Sequence, residues 1–334
     1  MQDHWPRREM TRRNVLAGTA AGAIAAASGA ATAQPAPTAQ VKGPAVWLDM
    51  DQKALDDAYD QAVYAPNREQ VHARRAANSA VARAVLGEPL RLQYGATEIE
   101  GIDVYRCKRE NAPVNVYTHG GAWRNGRSRE FAFLAELFVN AGAHSVIVDF
   151  NNIDDVDGDL MAMGKQVRSA VAYVYKNAAS FGGDPNRVYV SGHSSGGHLA
   201  GCIATTDWQR DFGLPKDIVK GALLASGMYD LKPVRLSKRS KYVKFTDEME
   251  EALSAQRHID KLNLPLILAY GTYETPEFQR QSRDFYAAVK AAGKPVELIV
   301  GEGYNHFEML ETLANPYGLL GRAALAQMGL TPAA

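Results

Sequence analysis

The chain has 334 residues, of which 46% are hydrophobic and 22% charged, and its 37 basic side chains balance 37 acidic ones. This is an ordinary globular composition at a length ample for a sizeable core. With neither a basic excess nor an acidic tail, nucleic acid is excluded as an expected partner.

The segment Thr11-Arg12-Arg13-Asn14-Val15-Leu16 resembles a twin-arginine signal, and from Val15 to Ala33 there is no charge and mostly Ala, Gly and Thr. That run is too weakly apolar for a membrane span, and Ala31-Thr32-Ala33 is a small-residue cleavage site. Residues 1–33 are therefore expected to be a leader removed after Ala33, with the folded protein exported to the periplasm or secreted. Met10 is an alternative start, and a disordered Ala-rich tail is the alternative reading. Residues 34–44 read as an extended linker and 45–334 as one domain.

Residues 47–86 are helical in pattern. Apolar runs at 90–94, 102–107, 114–118, 145–150, 187–191, 222–226, 264–270 and 296–300 predict eight strands alternating with helices. Leu160, Met163, Val167, Val171 and Val174 recur at helical spacing, so an amphipathic helix is expected over 160–178. Cys107 and Cys202 read as buried small apolar residues and form no zinc motif. Residues 151–159 hold four aspartates without the full spacing and closing glutamate of a calcium loop, and Asp159 is placed to cap the next helix. Residues 232–244 hold six cations and no anion. They read as a solvated basic loop, the alternative being a cap that attracts a carboxylate-bearing substrate.

The chemistry is concentrated in two motifs. Gly192-His193-Ser194-Ser195-Gly196 lies between a predicted strand and the helical run Gly197-His198-Leu199-Ala200. A serine at such a strand-to-helix turn is a nucleophile elbow, and glycines are needed where other backbone passes close to it. His119-Gly120-Gly121-Ala122-Trp123 follows the strand predicted at 114–118. Its glycines can aim backbone N–H groups at a developing oxyanion, with the N–H of Ser195 as a further donor.

Together the two motifs resemble the esterase/lipase branch of the α/β-hydrolases that includes the arylformamidases (kynurenine formamidases), and also the hormone-sensitive-lipase-like carboxylesterases. The resemblance runs from about residue 90 to the C-terminus. It implies an α/β-hydrolase fold: an eight-stranded, mostly parallel sheet flanked by helices, with a small cap from the N-terminal helices and the loop after strand 6. It also implies the chain order nucleophile, acid, histidine. Ser194 is then the nucleophile. His306, in the glycine-rich loop after the last predicted strand and followed by Phe307, is the expected base. His198 reads as a packing residue, His258 follows no strand end, and His119 is expected to serve architecture. Glu274 occupies the acid's place after the strand at 264–270, with Glu277 and Asp230 as rivals whose other roles are helix-terminal charge and turn capping. Gly120, Gly121 and Ser195 are expected to form the oxyanion hole, and Trp123 and Phe307 to line the substrate pocket. Residues 151–159 depart from the family's usual segment there.

The expected activity is that of an exported serine carboxylesterase acting on a small or medium substrate, with an anionic substrate as the alternative to a neutral one. No cofactor and no metal are expected. An amidase of the arylformamidase type is the second reading, and a non-catalytic binding protein on the same scaffold is the third.

Overall fold

Eight apolar runs of the sequence pair into one sheet in the computed structural model, which describes residues 43–332. The expected leader, and the expected linker up to residue 42, lie outside the described residues. The strands are β1 Leu90–Gln93, β2 Gly101–Tyr105, β3 Ala112–Thr118, β4 His144–Val148, β5 Gly183–His193, β6 Val219–Ala225, β7 Leu266–Gly271 and β8 Val296–Gly301. Their order is β1-β2-β4-β3-β5-β6-β7-β8. β2 runs antiparallel to both β1 and β4, and every other neighbouring pair is parallel.

The helices are α1 Gln52–Ala58, α2 Arg68–Leu86, α3 Ala135–Asn140, α4 Leu160–Asn177, α5 Ser195–Ala204, α6 Trp208–Phe212, α7 Leu231–Leu236, α8 Asp247–Leu253, α9 Pro276–Ala291, α10 His306–Glu311 and α11 Leu319–Gln327. This is the α/β-hydrolase fold that the sequence predicts. Among the described residues no helix is long and apolar enough to cross a membrane.

Burial explains the strand sequences. Central β3, β6 and β7 are covered on both faces and read as nearly continuous apolar runs, whereas edge strands β1 and β8 are partly exposed. Alternate side chains feed two cores. Val114, Val116, Val146 and Val148 pack with α4 and α5 on one face. Tyr117, Ile147, Leu223 and Ile267 pack with α3, α10 and α11 on the other. β5 begins earlier than its apolar run because Ala112 pairs with Gly183 before the register shifts to Val114 with Val188. The parallel strands β3, β5, β6, β7 and β8 all end at one edge of the sheet, so the loops after them converge there.

Three local expectations meet different outcomes. Residues 232–244 are not a solvated loop: they form α7 and a 3-10 turn, Lys238–Lys241, and Arg239 is only 6% exposed. Three of the six cations form ion pairs, Arg235 with Asp247 and Glu250, Lys238 with Asp60, and Lys244 with Asp157, while the guanidinium of Arg239 donates to Tyr242 Oη and the Tyr59 carbonyl. Sequence reasoning missed this because the partners lie in distant segments. Cys202 is buried, as expected, but Cys107 lies past the end of β2 and is partly exposed. Asp159 does cap α4, through the amide of Met161, and Asp154 and Asp157 form ion pairs with Arg124 and Lys244.

The helix after the elbow is buried along its whole length. Leu199→Ala should therefore lower the unfolding free energy by about 2–5 kcal/mol. Urea unfolding should show a lower midpoint at unchanged slope.

Candidate active site

Ser194 stands between β5 and α5 with φ 60° and ψ −128°, a strained conformation for a residue with a side chain. Its amide donates to the carbonyl of Ala225 at 2.9 Å, tying the turn to the end of β6. The turn is crowded on its inner side: a Cβ on Gly196 would collide with the Thr118 carbonyl at the end of β3. Thr118 Oγ1 donates to the Gly196 carbonyl at 2.8 Å and ties the end of β3 to the first turn of α5.

The loop after β3 passes directly over the serine. A Cβ on Gly120 would meet the His193 carbonyl at 2.8 Å and Ser194 Cβ at 3.0 Å. Several contacts hold the loop there. His119 is stacked between Phe131 and Phe150, with ring centroids 5.3 and 4.2 Å away, and its Nδ1–H donates to the Gly120 carbonyl. Burial pushes the His119 imidazole down to about 4, so it stays neutral and serves the loop's architecture. The amide of Trp123 donates to Ser195 Oγ at 3.2 Å, and its indole N–H to His198 Nδ1 at 3.3 Å. His198 Nε2 in turn donates to the Leu253 carbonyl at 3.0 Å, and burial lowers its pKa to about 3. His198 is thus a packed, neutral support. Trp123 is a correction to the expected pocket wall: it is 2% exposed, lies beneath the loop, and does not line the cavity. Further along, Ser128 anchors the segment to two buried carboxylates, Asp103 and Asp149, which also share Arg91.

His306 is the first residue of α10, whose N-terminus is closed by a capping box between Asn305 and Glu308. Its Nε2 lies 2.8 Å from Ser194 Oγ and its Nδ1 lies 2.8 Å from Glu274 Oε2. Glu274 is 1% exposed, and its other oxygen accepts from Ser226 Oγ at 2.5 Å and the Gly271 amide at 2.8 Å. Burial pushes Glu274 up to about 7, opposed by those two hydrogen bonds. Burial, then the charges of Arg75 and Arg239, hold His306 well below the ordinary imidazole range. A neutral imidazole with Nδ1–H aimed at Glu274 leaves its Nε2 lone pair facing the serine hydroxyl. That is the arrangement of a general base and its orienting acid.

The rival acids are engaged elsewhere. Glu277 forms two bonds to Arg280 and accepts from Tyr59 Oη, and Asp230 caps α7. His258 bonds the Glu251 carbonyl, away from the serine. Sequence reasoning missed three supports: Ser226 on Glu274, Gln61 at 3.4 Å from Glu274 Oε2, and His193, whose Nε2–H donates to the His306 carbonyl at 2.8 Å. For His193 a signal was present, since it occupies the variable place inside the Gly-x-Ser-x-Gly motif.

The serine and histidine open into a cavity of about 1000 Å³. Gly120, Gly121 and Phe307 line it, together with residues of α2 and of the 3-10 turn after α7. The cap therefore comes from the two segments expected.

Comparison with known proteins finds relatives of the whole domain. Residues 102–289 match the family described as BD-FAE. The chain is 31% identical to a kynurenine formamidase of Danio rerio over 85% of this chain and 98% of that protein. It is 25% identical to an isoprenylcysteine alpha-carbonyl methylesterase of Arabidopsis thaliana, over 65% of this chain and 56% of that one. Among solved structures, the esterase LipW of Mycobacterium marinum superposes with a TM-score of 0.62 at 20% identity, covering 80% of this chain and 88% of that chain.

The hydrogen bonds to Glu274 make a pH prediction. As pH falls, the His306–Glu274 pair takes up a proton and the base is lost, so fluorophosphonate labelling of Ser194 should slow on the acid side. Ser226→Ala removes a bond that favours the ionised carboxylate, so the labelling midpoint should move upward by about one pH unit. A midpoint that stays put or moves down would show that Ser226 does not hold the carboxylate.

Proposed function

The chain belongs to the BD-FAE family, in the esterase branch of the α/β-hydrolases, and on that footing we propose that it is an exported serine hydrolase cleaving a carboxylic ester of a small or medium substrate through an acyl-enzyme. The observation that carries this reading is the continuous line from Glu274 through His306 to Ser194, with both contacts at 2.8 Å.

In this mechanism Ser194 Oγ attacks the carbonyl carbon while its proton passes to His306 Nε2. Glu274 fixes the tautomer and stabilises the imidazolium. The amides of Gly120, Gly121 and Ser195 receive the negative charge on the tetrahedral oxygen, each good donor contributing about 3–4 kcal/mol. The intermediate collapses as His306 returns the proton to the leaving alcohol. Water, activated by the same histidine, then releases the acid from Ser194.

Cleavage of a C–N bond of the arylformamidase type is the second reading. It is favoured by one observation, the full-length match to proteins named for that activity. The chemistry at Ser194 is the same, and only the leaving group differs. Export rests on the twin-arginine-like segment at Arg12-Arg13 and the small-residue site ending at Ala33.

Burst kinetics on graded p-nitrophenyl esters and matching anilides test the activity. Esters should be turned over faster, and Ser194→Ala or His306→Ala should each lower kcat by at least about 10⁴-fold. Gly120→Ala should lower kcat by about 10²–10³-fold by pushing the donor loop off the serine. Turnover that survives Ser194→Ala would sink the mechanism, and anilides outrunning esters would shift the assignment to the amidase. For export, mass spectrometry of the periplasmic or secreted protein should find Gln34 at the N-terminus, and replacing Arg12 and Arg13 by Lys should leave the precursor inside the cell.

A further inference from the structure

The cavity over Ser194 is lined by eight Arg and Lys side chains against three carboxylates. Two of those carboxylates are consumed locally: Glu69 pairs with Arg68 at 2.7 Å and Asp60 with Lys238 at 2.6 Å. The third, Glu130, forms no ion pair among the described residues. Arg75 on α2 and Arg239 in the 3-10 turn after α7 have no carboxylate partner there either.

These two guanidiniums are not loose surface groups. Arg239 is 6% exposed, lies over the Trp123 ring at 5.3 Å, and uses both terminal nitrogens on Tyr242 Oη and the Tyr59 carbonyl. Arg75 packs over the Phe133 ring at 5.8 Å. In each, Nε is buried without a hydrogen-bond partner. A guanidinium with a buried, unbonded Nε and no carboxylate at ion-pair distance is costly, and a bound anion offsets that cost. Both side chains line the same cavity as Ser194 and His306. A planar, forked donor suits a carboxylate in particular.

We propose that Arg75 and Arg239 form a carboxylate-binding subsite beside Ser194, so that the substrate is an ester or amide carrying a free carboxylate within a few bonds of the scissile carbonyl. This rests on the serine-hydrolase reading of the same cavity. Exposed Arg129 and Lys241, at its lining, add a field that draws anions in.

The test uses mono-p-nitrophenyl succinate and p-nitrophenyl butyrate, which differ by a carboxylate in place of a methyl group. In the Ser194→Ala protein the succinate ester should bind at least about tenfold tighter than the butyrate at low salt, and the preference should shrink as salt rises. Adding Arg75→Gln should bring the preference close to unity, and Arg75→Lys should restore part of it. Arg239→Gln gives a second, independent loss. The preference is a ratio within each variant, so a general loss of affinity cancels. Equal binding of the two esters overturns the proposal, and so does a preference that survives both glutamine variants. Because binding is read without turnover, these outcomes are separate from the hydrolase reading, which fails if wild type with intact anion preference cleaves neither ester and leaves Ser194 unlabelled by fluorophosphonate.

Discussion

Ser194 is held at φ 60° between an eleven-residue strand and a helix that is buried throughout. A non-glycine residue in that region costs about 1–3 kcal/mol, and it persists only where its surroundings over-determine it. Here they do. The strand cannot shift without breaking its parallel pairing with both β3 and β6. The helix cannot retreat without exposing Leu199, Ala200 and Ile203. The remaining parts of the site are then delivered by strands that end at the same edge: the donor loop after β3, Ser226 after β6, Glu274 after β7 and His306 after β8.

Strand ends alone do not fix the loops, and the N-terminal segment supplies what they lack. Thr275, next to the proposed acid, donates its hydroxyl to the Ala58 carbonyl at 2.6 Å and its amide N–H to Gln61 Oε1. Tyr59 reaches Glu277. Asn67, just ahead of α2, bonds Glu308 at 2.6 Å and Asn305 at 2.8 Å, and so braces the turn that presents His306. The same segment places Arg75 in the cavity wall. A stretch that reads as a cover is therefore also the buttress of the acid and histidine loops. Movement of α2 to admit substrate would be felt at His306.

The strands, the elbow and the donor loop were legible because they rest on local signals: apolar runs of strand length, and glycines at fixed offsets from Ser194 and His119. His306 and Glu274 were legible from their places after the last two strands. The supports were not. Ser226 meets Glu274 across 48 residues, Arg239 meets Tyr59 across 180, and Asn67 meets Glu308 across 241. Nothing in the neighbourhood of a serine, an arginine or an asparagine announces such a partner. Trp123 was misread for a related reason. Its motif place is at the pocket, but residues 122 and 123 both adopt positive φ, which turns the indole under the loop toward His198.

A glutamate at the proposed acid position matches the turn that carries it. The amide of Glu274 bonds the Gly271 carbonyl at 3.0 Å, so the acid leaves the sheet only three residues after β7 ends. From that tight turn its side chain must fold back to accept the Gly271 amide with one oxygen and extend the other to His306 Nδ1. An aspartate in the same backbone is one methylene short. It could keep the bond to its own turn or the bond to the histidine, and either loss would leave a buried polar group unsatisfied at a cost of about 1–3 kcal/mol. The longer side chain and the short turn are thus a matched pair. Ser226, itself at φ 52°, fills the position from which a hydroxyl can steady the carboxylate that both of them serve.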